Sequence, residues 1–84
     1  MEIFLDTADI DVIERYKDFI DGVTTNPSIL SKQKDKTVPD IALKISKLVS
    51  GPVSVEVISD DFDEMLKEGE DLSKIHPNIC VKLP

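Results

Sequence analysis

Val53-Ser54-Val55-Glu56-Val57-Ile58 is the stretch that decides the fold. It is rich in β-branched residues and alternates from Val53 to Val57, so it reads as a strand. Successive side chains on a strand point to opposite faces. Val53, Val55 and Val57 therefore share one face, and Ser54 and Glu56 share the other. A central strand of a doubly wound sheet is apolar on both faces. This one is aliphatic on one face only, which suits a helix layer there. Its other face carries a carboxylate towards the C-terminal end, as the inward face of a parallel (β/α) barrel does. Plain exposure of the polar face to water is the alternative at this point.

Working outward, three more stretches show the same parity. Ile3-Phe4-Leu5-Asp6, Gly22-Val23-Thr24-Thr25-Asn26 and Ile79-Cys80-Val81-Lys82-Leu83 are short, apolar or β-branched, and end near a polar side chain. Their polar-tip faces carry Phe4 and Asp6, Thr24 and Asn26, and Cys80 and Lys82. The opposite faces carry Ile3 and Leu5, Val23 and Thr25, and Ile79, Val81 and Leu83. Helical patterns lie between the strands. The first has Ile10, Ile13, Tyr16 or Lys17 and Ile20 at helical spacing, with Thr7 or Asp9 as cap, and Asp21-Gly22 breaks it. A short helical piece follows Asn26-Pro27, and 33–36 is a polar loop. Thr37-Val38-Pro39-Asp40 then has the form of a capping box. It opens a helix whose stripe is Val38, Ile41, Ala42, Ile45, Leu48 and Val49. The last helix, capped by Ser59 or Asp60, is expected to bury Phe62, Met65, Leu66, Gly69 and Leu72. His76-Pro77-Asn78 is a turn.

The order β-α-β-α-β-α-β implies parallel strands joined by crossovers. The fold class expected is α/β, half of a (β/α)8 barrel, as a single domain over residues 1–84. Such a half leaves two open strand edges, which invite pairing. Completion by self-association, as a homodimer or higher homo-oligomer, is the expectation.

Composition narrows the function classes. The chain is 40% hydrophobic and 32% charged, with a net charge of −7. That balance argues against nucleic acid and anionic membrane surfaces as partners, since both select basic patches. No apolar run is long enough for a membrane span, and the N-terminus lacks the basic segment of a signal peptide. The lone Cys80 has no partner for an internal disulfide, which points to a reducing cytoplasm; it reads as a small core residue.

Asp6, Asn26, Glu56 and Lys82 would stand in one ring at the strand tips. Carbonyl chemistry through a Schiff base needs such a set: an amine to attack a ketone, carboxylates to move protons, and an amide to orient hydroxyls. Each residue also has a structural reading. Lys82 can be half of an ion pair, Asp6 a helix cap, and Asn26 a turn residue before Pro27. No metal-ligand spacing, glycine-rich phosphate loop or Ser-His-Asp arrangement is present in the sequence.

Four blocks resemble a known family in order and spacing. They are Phe4-Leu5-Asp6-Thr7-Ala8, Gly22-Val23-Thr24-Thr25-Asn26-Pro27-Ser28, Val53-Ser54-Val55-Glu56-Val57 and Val81-Lys82-Leu83-Pro84. Together they resemble the first half of the small transaldolases and the related fructose-6-phosphate aldolases. The resemblance implies a class I aldolase TIM barrel acting in carbohydrate metabolism, on the pentose phosphate side, with a sugar-phosphate substrate and no cofactor or metal. By the same resemblance Lys82 matches the Schiff-base lysine and Asp6 the acid/base at C–C cleavage. Asn26 matches the amide that holds substrate hydroxyls, and Thr25 is carried over as a neighbour of the substrate. Glu56 matches the carboxylate that works through a catalytic water in transaldolases; the aldolase branch tends to carry Gln there. The family's phosphate-binding arginine comes from later strands, and the single arginine here, Arg15, falls on the first helix.

Overall fold

The computed structural model describes residues 1–33 and 36–84. The loop read over 33–36 therefore lies partly outside the described residues. The elements run β1 (Phe4–Asp6), α1 (Ile10–Tyr16), β2 (Gly22–Thr24), α2 (Pro27–Leu30), α3 (Val38–Leu48), β3 (Val53–Glu56), α4 (Phe62–Ser73) and β4 (Ile79–Lys82). A 3₁₀ turn over Lys17–Phe19 continues α1.

All four strands are parallel and pair in chain order, β1-β2-β3-β4. A doubly wound sheet reverses its order at a switch point. No reversal occurs here, so the sheet winds one way, as one half of a barrel does. The helix layer covers one face. Val23, Val53, Val55 and Val57, on the aliphatic side of β2 and β3, are at most 2% exposed. They join Ile13 of α1 and Ile41, Ala42 and Ile45 of α3 in one core. The other face stays open, with Phe4 at 42% exposure and Cys80 exposed.

Local chemistry sets the helix starts. Asp9 caps α1, its Oδ1 accepting from the N–H groups of Asp11 and Val12 at 3.0 and 3.3 Å. Thr37 caps α3 through Asp40 N–H at 3.3 Å, as the capping-box pattern implies. Asp61, rather than Ser59 or Asp60, caps α4, accepting from Glu64 N–H at 3.2 Å. Ser59 is committed elsewhere, to Glu68. After α3, Gly51 lies against the Asp21 backbone so closely that a Cβ there would run into the Asp21 carbonyl. That approach lets the α3–β3 connection pass the start of β2.

Two burial expectations are corrected. The stripe on α4 is not wholly buried: Leu72 is, Met65 and Gly69 are half-buried, and Phe62 and Leu66 are 66% and 43% exposed. Helical spacing identifies the apolar face of α4, but only the part over the sheet has something to cover it. Of the pair Tyr16 or Lys17 at helical spacing on α1, Tyr16 is 44% exposed. Cys80 is not in the core, because it stands on the uncovered face of β4.

Candidate active site

The strand ends deliver their side chains to the open face. Asp6 closes β1, and its Oδ1 accepts the Thr24 hydroxyl at 2.8 Å. Because Asp9 caps α1, Asp6 is free of the capping role that its place in the sequence allowed. Asn26 does serve as a cap: its Oδ1 accepts from Ile29 N–H at 2.9 Å and starts α2. That bond uses the amide oxygen alone and leaves both N–H donors for another partner. Glu56 and Lys82 are direct register partners across β3 and β4. Glu56 is half-buried and Lys82 exposed. Lys82 is fixed through its backbone, its carbonyl accepting from Val57 N–H at 3.1 Å.

The four residues do not form a single row. Asp6 is level with Thr24, which is level with Ser54 and through it with Cys80. Glu56 and Lys82 stand one row higher, two residues on, or roughly 6–7 Å along the strand. Parity decides which face a side chain takes, while register decides its height, and only pairing fixes register. Barrel strands tilt by about 36°, so residues of adjacent rows reach similar depth as the sheet curves.

Thr25 is placed apart from this face. It is 3% exposed, and its hydroxyl and N–H both donate to the Ser54 carbonyl, at 2.8 and 3.0 Å. It locks β2 to β3 beneath the site. Thr24 is the residue that the sequence reading passed over. Its signal was visible, since it shares the Asp6 and Asn26 face by parity. Beside Asp6 a cleft of about 390 Å³ opens, bordered by Asp9, Ile29 and Lys32. The turn before β4 is held by Asn78, whose Nδ2 donates to the Val49 and Ser50 carbonyls and whose N–H donates to His76 Nδ1. His76 is thus a turn residue.

The loop that follows β3 is anchored by Glu68 of α4. Its carboxylate accepts from Ile58 N–H at 2.8 Å, Ser59 N–H at 3.1 Å and the Ser59 hydroxyl at 2.7 Å. Burial pushes its pKa up, but the three hydrogen bonds together outweigh it and hold the carboxyl below its ordinary value of 4.5. A carboxyl depressed in the folded state stabilises above its unfolded pKa, and that contribution is lost as pH falls through the lower folded value. Glu68→Gln is therefore expected to lower stability at neutral pH. The gap from the native chain should narrow below about pH 4.5. Denaturant titrations at a series of pH values check this; a gap that stays constant into acid contradicts it.

Residues 3–84 match the family described as Transaldolase/Fructose-6-phosphate aldolase. The chain belongs to that family. Among curated relatives, the whole chain aligns with proteins named probable transaldolase. It is 46% identical to that of Carboxydothermus hydrogenoformans, 48% to that of Geotalea uraniireducens and 50% to that of Desulforapulum autotrophicum. In each case it spans 40% of the relative's length. The one-way parallel sheet is what part of a transaldolase-family barrel requires. No helix among the described residues is long and apolar enough to cross a membrane.

Proposed function

We propose that this chain carries the Schiff-base half of a transaldolase-type site, which transfers a dihydroxyacetone unit between sugar phosphates. The observation that carries the reading is the Glu56–Lys82 register pair on the open face, one row above Asp6 and Thr24. The neutral Lys82 amine attacks the ketose carbonyl carbon. The carbinolamine loses water to give an iminium, with Glu56 moving the protons through a water molecule. Asp6 takes the proton from the hydroxyl on the β carbon, two carbons from the iminium carbon; that carbon leaves as an aldehyde as the bond between the α and β carbons breaks, and the bond's electron pair is held as an enamine on Lys82. An acceptor aldehyde reverses these steps. The Asn26 N–H donors hold substrate hydroxyls. Thr24 keeps one Asp6 oxygen oriented, and Thr25 supports the floor of the site from behind.

Amine attack needs the unprotonated lysine, and apolar surroundings favour it. Covering the open sheet face is therefore part of the reading, whether or not the cover brings further site residues. The free, exposed thiol of Cys80 agrees with work in a reducing cytoplasm. Borohydride reduction in the presence of a ketose phosphate tests the proposal, by converting the iminium into a stable secondary amine on Lys82. A second reading is a sugar-binding chain without turnover. It is favoured by the exposure of Lys82 on the uncovered sheet face, which leaves its amine in water.

A further inference from the structure

We infer that Glu68 of α4 is a positioning residue for the Glu56–Lys82 pair: by holding the backbone just past β3, its carboxylate keeps Glu56 level with Lys82. The inference rests on the transaldolase-type reading for the use to which the pair is put, but the hold itself can be measured without any substrate.

Three consecutive N–H groups follow Glu56, and each has an acceptor. Val57 N–H donates to the Lys82 carbonyl at 3.1 Å. Ile58 N–H donates to Glu68 Oε2 at 2.8 Å, and Ser59 N–H to Oε1 at 3.1 Å. The Ser59 hydroxyl adds a bond to Oε1 at 2.7 Å. Both carboxylate oxygens are engaged, on adjacent residues, which fixes the direction of the chain as well as its place. Side-chain packing does not do this, since Ile58 is 60% exposed. Nor does the start of α4, which has its own cap in Asp61. The series begins with the bond that ties β3 to Lys82, so the backbone that Glu68 holds continues directly from the junction that keeps the pair in register.

The seating of α4 makes this reach possible. A Cβ built at Gly69 would lie 3.3 Å from Val81 Cγ1 and 3.9 Å from Val57 Cγ1. With no side chain at that position, the helix backbone comes down onto these two valines. Val57 follows Glu56 and Val81 precedes Lys82, so α4 touches the sheet at a neighbour of each member of the pair. Glu68, one residue before that contact, spans from the helix to the loop past β3. Loops that leave the C-terminal ends of the strands build the site in a parallel barrel, so the origin of this loop bears on the chemistry. Reacting groups tolerate little displacement: about 1 Å can cost about 100-fold in rate.

Amide hydrogen exchange on Glu68→Gln, read by NMR, and the rate of borohydride-trapped adduct formation on Lys82 test the inference together. Gln keeps the shape of the side chain but offers one acceptor oxygen where two are used. The Ile58 and Ser59 amides are expected to exchange roughly tenfold faster or more, and the Val57 amide to follow, beyond any change at Val23 on β2. Adduct formation is expected to slow roughly tenfold. The ketose phosphate concentration that gives half the maximal rate should stay within about twofold, because Asn26 and Asp6 are untouched. Ser59→Ala is the milder variant should Glu68→Gln fail to fold. It should move exchange and adduct rate the same way, and its effect should not add to that of Glu68→Gln. Val49→Ala, which loosens the core at the end of α3, should lower stability without slowing the adduct. Unchanged exchange at Ile58 and Ser59 overturns the inference. So does a loosened loop with adduct formation at the native rate, or equal slowing by Val49→Ala. A native chain that forms no adduct fails the transaldolase-type reading instead, and the Val57 amide then decides the hold: protection kept in Glu68→Gln overturns it, and protection lost upholds it.

Discussion

Replacing Lys82 by Met is expected to abolish the borohydride-stable adduct and to lower transfer by on the order of 10⁴-fold or more. The expectation follows from what the side chain touches. Its amine is the atom that would bond to the substrate, and no neighbouring group supplies another amine on β3 or β4. The same change should leave the fold intact. Lys82 is exposed, it forms no ion pair within 4.0 Å among the described residues, and its carbonyl keeps the bond to Val57 whatever the side chain. Exposed substitutions of that kind move stability within about 0.5 kcal/mol. Circular dichroism and a denaturant midpoint close to those of the native chain, together with lost adduct, separate a chemical role from a structural one. A variant that retains transfer removes Lys82 from the chemistry.

Ile45→Ala is expected to have the largest effect on stability. Ile45 sits at the middle of α3, fully buried in the core that includes Ile13, Val23, Val53 and Val55. Truncating a buried isoleucine loses its transfer free energy and leaves a cavity, at a cost of about 2–5 kcal/mol. A chain of 84 residues buries a smaller fraction of its surface than a large domain and holds only about 5–10 kcal/mol in total. The substitution therefore removes a large part of the total. The denaturant midpoint should fall steeply at fixed protein concentration, which must be held because association adds to apparent stability. A midpoint shift equivalent to less than about 1 kcal/mol would mean that the core repacks around the gap.

Much of the fold was legible because two periods are strong in this sequence. The valine alternation through Val53, Val55 and Val57 identified the covered face of β3, and the four strands carry it consistently. The stripe through Ile41, Ala42 and Ile45 placed α3, and Thr37 supplied its start. The misreadings share one cause. Phe62, Leu66 and Cys80 have core character, but burial depends on what lies opposite, and a sequence pattern does not show whether a covering layer is there. The site was legible to the level of faces. Parity put Asp6, Thr24, Asn26, Glu56 and Lys82 on one side of the sheet. It had no access to register, so the two rows, the Thr24–Asp6 bond and the Glu68 anchor emerged only from pairing. Asp9 shows how a local competitor resolves an ambiguity: once it caps α1, Asp6 no longer has a structural duty there.

The central claim is that Lys82 is the Schiff-base residue. The most direct test is borohydride trapping of the folded chain with a ketose phosphate, followed by peptide mapping. Ten lysines and arginines include one arginine, leaving nine lysines as candidate sites. The account predicts a single reduced adduct, on the peptide that carries Lys82. Folded protein with no adduct, or with its adduct on any of the other eight lysines, would contradict it.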